Sequence, residues 1–417
     1  MYMKRLIHGV KEQFEEWLLP FGHYPLEAKK VLYRQHFRGP GSTCQDDQTH
    51  LKEAMDWLRR AQENSGDDGV SHGYCLTYNA NFKKRGWLSS YPETTGYIIP
   101  TFLEFYKTTG DKDFYQRALR MADWECRVQM ESGAVQGGTV DQPPTPSIFN
   151  TGMVLFGWMA AYRETGEKRY MQSAIRAGNF LVAAQDPDGA WRRGESQYVQ
   201  AGVHTYNVRV AWALLLLYNI TREISFKEAA LKNIEFTSKR QRDNGWFEEN
   251  CLSDNNRPLL HTIAYAMRGI LECGIILNSE QLIQKVRIPA NILISLQKTD
   301  GSLAGRFDEV WQPAVTWSCL TGNAQLAIIL LKLFLLDRNP SYLDAARKLI
   351  DFNKSVQILD GANGIRGGIA GSFPINGGYG RYEILNWATK FFADALIFLS
   401  ELKKGEEDQS LIQRFQG

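Results

Sequence analysis

Two kinds of helical block alternate along this chain. The first is apolar at nearly every position and occurs at 97–105, 153–161, 210–218, 263–271, 326–336 and 391–399. A helix that is apolar around most of its circumference must be buried by its neighbours, so these blocks predict six inner helices. Their starts fall near Thr94, Asn150, Tyr206, His261, Thr321 and Asn386. The second kind, as at 112–129 and 168–185, carries apolar residues at helical spacing among Lys, Arg and Glu, the pattern of an outer helix with one wet face. The segment 49–62 supplies the outer mate of the last inner block.

Each outer block closes on Gln-x-x-x-Gly, at Gln62, Gln129, Gln185, Gln241, Gln297 and Gln357, in steps of 67, 56, 56, 56 and 60 residues. A period of that size marks a repeated supersecondary unit, here a helical hairpin. Six hairpins in sequence predict an all-α fold, a single (α/α)₆ toroid. Its expected limits are 49–403, with 1–48 as an N-terminal helix (12–19) and arm packed on the ring and 404–417 as a flexible tail. Closure of the first outer helix on the last inner one removes the need for polar capping repeats.

The connections differ in length. Inner-to-outer turns such as Thr108–Asp111 and Glu164–Glu167 are tight, whereas outer-to-inner connectors run over roughly 66–93, 133–149, 189–205, 245–260, 301–320 and 361–385. Connectors beyond about 12–15 residues in a compact domain are usually functional or disordered, and these are dense in Trp, Tyr, Arg and Asp. All six should reach the same end of the ring, where six inner-helix N-termini favour negative charge. The expected cleft therefore suits carboxylates or acidic sugars.

Composition narrows the function. With 48 basic and 46 acidic residues the formal charge is +2, which leaves no basic field for nucleic acid. The six cysteines show no Cys-x-x-Cys pair and no His-x-His or Glu-x-x-His spacing occurs, so neither a disulfide framework nor a metal is expected, and no cofactor is implied. The charged N-terminus does not read as a secretory signal, and no run approaches a membrane span; the cytoplasm is the expected location. The 11 Trp and 18 Tyr exceed what packing needs and fit flat platforms for sugar rings.

The segment Gln185–Trp191 resembles the Gln-x-x-x-Gly-x-Trp motif of terpene cyclases, where it implies a structural role; the acidic cluster of triterpene cyclases and the Asp-x-Cys of protein prenyltransferase β subunits have no counterpart here. Segments Ser90–Tyr97 and Gly371–Tyr382, followed by Asn386–Phe391, resemble (α/α)₆ toroid proteins of bacterial capsule and exopolysaccharide biosynthesis clusters, a group often labelled prenyltransferase-like. That resemblance implies an oligo- or polysaccharide substrate and polysaccharide synthase machinery as a further partner.

The candidate chemistry follows from residue type. His204, Tyr206, His261, Asp141, Glu195, Tyr379 and Glu383 are candidate acids and bases, with His72, Tyr74 and Tyr198 beside them. Arg209, Arg257, Arg306 and Arg381 could fork a uronate carboxylate, with Asn207, Asn150, Tyr91 and Glu93 as further binding groups and Trp191, Trp246, Trp311 and Trp387 as stacking platforms. Each has a plainer role open to it: a helix cap for His204, a dipole partner for Glu93, packing for Trp191 and Trp246. Two reactions fit an acidic glycan. One is proton abstraction at C5 by the His204–Tyr206–Arg209 cluster, of epimerase or lyase type. The other is hydrolysis by a carboxylate pair such as Asp141 with Glu195 or Glu248 with Asp308. A non-catalytic glycan-binding component and a terpene- or prenyl-handling toroid complete the alternatives.

Overall fold

The computed structural model describes residues 24–41, 45–405 and Leu411. The helix expected at 12–19 and most of the tail from 404 onward lie outside the described residues. An N-terminal helix, α1 (Leu26–Arg38), precedes the ring, where the sequence reading expected only an arm. Its Ala28, Val31 and Leu32 are buried, and the Gln35 side chain, which accepts the Ile375 backbone N–H at 2.7 Å, ties the helix to the sixth connector.

Twelve helices then form six hairpins. They are α2 (Asp47–Glu63), α3 (Pro92–Thr109), α4 (Lys112–Val128), α5 (Ile148–Thr165), α6 (Lys168–Ala184), α7 (Val208–Thr221), α8 (Ile224–Lys239), α9 (Leu260–Ile276), α10 (Glu280–Ser295), α11 (Leu320–Asp337), α12 (Pro340–Val356) and α13 (Asn386–Lys404). The odd-numbered helices from α3 to α13 pack on one another in ring order, α13 returns to α3, and α2 covers α13 from outside. This is the (α/α)₆ toroid that the apolar blocks predict. Helix α11 is apolar enough over 18 residues to cross a membrane by composition, but 83% of it is buried as an inner stave.

The recurring glutamine is a clasp between neighbouring outer helices. The Gln185 side-chain amide donates to its own loop at Gly189 O (3.1 Å) and to Ala229 O of α8 (2.8 Å). Gln129, Gln241 and Gln297 repeat the pattern onto Ser173, Lys285 and Ala345. The glycine is needed because its φ is positive and the next helix is close: a Cβ on Gly189 (φ +91°) would lie 2.3 Å from Lys232 O. The two end repeats differ from the sequence pattern. Gln62 donates to Asp68 O, with Asp68 itself at φ 78°, and Gln357 donates to Gly367 O and His50 O, so Gly367 and not Gly361 completes the last clasp. That last bond ties α12 to α2 and closes the ring.

A small antiparallel sheet closes it a second time at the mouth. Strand β1 (Gly73–Asn79) of the first connector lies between β2 (Lys84–Trp87) and β7 (Glu383–Leu385) of the sixth, with Cys75 opposite Glu383. Two further ladders, β3 (Val135–Gln136) with β4 (Pro146–Ser147) and β5 (Ser318–Cys319) with β6 (Ser372–Phe373), pin other connectors. The sheet fixes Asn79 and Glu383 side by side.

Candidate functional site

The six connectors meet over one cavity of about 430 Å³. Every connector lends it a side chain: His72, Asn79 and Phe82 from the first, Ser147 from the second, Glu195, Tyr198 and His204 from the third, Leu252 and Leu259 from the fourth, Arg306 from the fifth, Tyr379 and Glu383 from the sixth. The starts of the inner helices add Tyr91, Glu93, Asn150, Tyr206, Asn207, His261, Tyr265 and Trp387.

Three carboxyls face this space in different settings. Glu93 stands in the first turn of α3, just after Pro92, where the helix dipole would favour its charge; burial wins, and its carboxyl is pushed up to about 7 despite the Tyr91 hydroxyl that donates to it at 2.6 Å. Glu383 is also raised by burial to about 7, and its Oε1 accepts from the Asn79 amide at 2.6 Å. Glu195 accepts from His204 Nε2 at 2.7 Å.

The histidines are held uncharged or oriented. His204 Nε2 faces two acceptors, Glu195 and the Gln200 carbonyl (2.9 Å), so it carries a hydrogen, while Nδ1 has no hydrogen-bond partner; the ring stacks on Tyr206 at 5.0 Å. Burial drives His261 and His72 down to about 3, leaving both neutral at pH 7. The Gln325 amide holds His261 Nδ1 at 2.6 Å, and Tyr265 and Tyr379 flank the ring at 4.3 and 5.4 Å. His72 sits between Phe82 and Trp387 (4.8 and 4.7 Å), and Trp387 is fixed by an indole N–H bond to the Tyr379 hydroxyl at 2.8 Å.

Several expected site residues lie elsewhere. Asp141 is exposed, bonded to the Thr139 hydroxyl, and does not line the cavity, so the Asp141–Glu195 pair does not form there. Glu248 and Asp308 border a separate groove at the rim, along with Arg257 and Trp246; Arg257 pairs with Asp254. Arg381 is exposed beside the Tyr382 ring. Trp191, Trp246 and Trp311 are buried packing residues: the Trp191 indole donates to Leu181 O, Trp311 to Asn244 O, and Trp246 packs edge-on to Trp311. Arg209 is buried below the cavity, its guanidinium 4.6 Å from the centre of the Tyr265 ring. Arg306 is therefore the one arginine lining the cavity among the described residues, and the Arg-rich cleft of the sequence reading is replaced by one rich in Glu, His and Tyr.

Asn79, Phe82 and Tyr265 were missed. Tyr265 is one helical turn past His261 on α9, a spacing that could have signalled it; Asn79 and Phe82 depend on the β1–β7 pairing, which leaves no local trace. Among the described residues no group of three or more metal-ligating side chains is present.

No protein-family profile and no curated protein sequence matches this chain. Solved structures do. A heparin-specific unsaturated glucuronyl hydrolase aligns with a TM-score of 0.68 at 18% identity, over 86% of this chain and 98% of its own. The unsaturated glucuronyl hydrolase of Bacillus sp. GL1 aligns at 0.68 and 15% over 85% and 97%, and the cellobiose 2-epimerase of Bacillus thermoamylovorans at 0.66 and 14% over 85% and 98%. Such identities establish a shared fold. The likeness fits the toroid and does not extend to the terpene cyclase and prenyltransferase labels.

Proposed function

We propose that this protein is a carbohydrate-active enzyme that binds the terminal sugar of an oligosaccharide in the six-connector cavity and hydrolyses its glycosidic bond by general acid catalysis. The observation that carries the reading is Glu93: a carboxyl at the cavity wall, protonated up to about pH 7 and oriented by the Tyr91 hydroxyl, meets the requirement for a proton donor working at neutral pH. Its proton passes to the bridging oxygen as the bond to the sugar breaks. In this reading Glu195, with one oxygen held by the His204 N–H, would accept the proton of the attacking water. Trp387, Tyr206 and Phe82 offer faces for the ring. Arg306 would meet a uronate carboxylate, which agrees with the substrates that the names of the glucuronyl hydrolases state.

A second reading keeps the proton abstraction expected from sequence. His204, whose Nδ1 has no hydrogen-bond partner, and neutral His261 would act as bases in an epimerase, a reading favoured by the cellobiose 2-epimerase likeness. Surface polysaccharide tailoring is the setting we favour, since Tyr91, Glu93, Tyr379 and Trp387 all come from the segments that carry that resemblance.

The test is turnover on a panel of unsaturated glucuronyl, saturated glucuronyl and neutral oligosaccharides. Hydrolysis predicts new reducing ends in the parent protein and loss of at least a hundredfold in kcat in Glu93→Gln. Solvent deuterium entering an uncleaved sugar would select the epimerase, and saccharide binding with neither outcome would reduce the protein to a binding component.

A further inference from the structure

Buried cations gather in the interior of the ring below the cavity. Arg268 and Lys332 share Glu272 at 2.5 and 2.6 Å, and Lys390 is paired with Asp394 at 2.6 Å, which also accepts from the Thr101 hydroxyl. Arg209 is a further buried cation in this region. It is 1% exposed, its Nε reaches Met153 Sδ at 3.4 Å, and its Nη2 has no partner. The guanidinium lies among the rings of Tyr265 and Trp212 (4.6 and 5.2 Å) and, further off, Phe156 and Phe391. A buried charge without an anionic partner is costly, and the ring faces around it offset only part of that cost.

We propose that Arg209 is the positioning residue of the acid: from beneath the Tyr265 floor it supplies the counter-charge for the Glu93 carboxylate that remains once the proton has gone to the substrate. The inference rests on the hydrolytic reading of Glu93. Arg209 already favours the charged form of Glu93 and the neutral form of His261, so both groups feel it. From α3 the guanidinium also faces Tyr97, from α9 Tyr265, Arg268 and Glu272, and from α13 Lys390.

The sign follows. Without Arg209 the Glu93 proton is held more tightly, so the acid form persists to higher pH while donation becomes slower. Arg209→Met is expected to lower kcat ten- to a hundredfold with KM within about threefold, and to move the alkaline limb of the kcat profile up by about one pH unit. Arg209→Lys, whose shorter charge stands further off, should move the limb the same way by less; this variant decides the matter if the Met variant does not fold. A limb that stays in place in a folded variant, or a loss confined to KM, overturns the proposal. A readout independent of turnover is the NMR titration of the His261 ring, which should shift to higher pH in Arg209→Met. If the parent turns over no saccharide but this shift appears, the hydrolytic reading has failed while the electrostatic link stands; no shift removes the link itself.

Discussion

Replacing Glu93 by Gln should change how the stability of the folded protein responds to pH. The buried carboxyl is raised from 4.5 to about 7, so between those values the folded protein holds a proton that the unfolded chain has released. Stability from this group is therefore complete below about pH 4.5 and is lost as pH rises through 7. The shift corresponds to about 1.4 kcal/mol for each pH unit of the window, or roughly 3 kcal/mol in all. Gln keeps an acceptor for the Tyr91 hydroxyl but does not titrate. Urea unfolding of parent and variant at intervals from pH 4 to 8, with no sugar present, isolates the residue, because every other group cancels in the difference. The parent should lose ground to Glu93→Gln steadily across the window and run parallel to it below. A difference that is flat from pH 4.5 to 7 would mean that Glu93 titrates as an ordinary carboxylate, and the acid assignment would fall.

Other outcomes follow from the same structure. His261→Gln should give a difference of opposite slope: the imidazole is held down to about 3, so the parent gains on the variant as pH rises from about 3 to 6.5, which the same urea series measures. Gln357→Leu removes the clasp that closes the ring, taking the amide N–H from the Gly367 and His50 carbonyls and the amide oxygen from His50 Nδ1, and should cost about 3–5 kcal/mol in urea unfolding at neutral pH; under about 1 kcal/mol would refute the seam role. Trp387→Leu takes away a cavity wall and the bond to Tyr379, and calorimetry should show saccharide affinity falling about tenfold with little change in fold.

Much of the architecture was legible because it depends on one-dimensional signals. Apolar blocks at regular intervals locate the inner helices, and the repeated Gln locates the outer-helix ends because one amide must serve the same two carbonyls at each seam. The convergence of six connectors followed from the hairpin alternation alone. The cavity was harder. His204 and Tyr206 are close in the chain and were found together, but Glu195 was paired with Asp141 and not with His204, and Glu93 comes to share a cavity with His261 and Glu383 only through ring closure, which no local pattern reports. Tryptophans misled because the same indole that stacks on a sugar also fills a core: Trp191 after its Gln-x-x-x-Gly packs inward, whereas Trp387 at a helix start faces the cavity. Arg257 misled for a related reason, since its long side chain reaches the nearest carboxylate, Asp254, and does not turn into the cleft as Arg306 does.

The account is tested most directly by a crystal structure of Glu93→Gln soaked with an oligosaccharide that the parent turns over. It predicts a terminal sugar ring enclosed by Trp387, Tyr206 and Phe82, its bridging oxygen within hydrogen-bond reach of the residue 93 amide. Density for the saccharide in the rim groove of Arg240, Glu248 and Asp308, with the six-connector cavity empty, would contradict it.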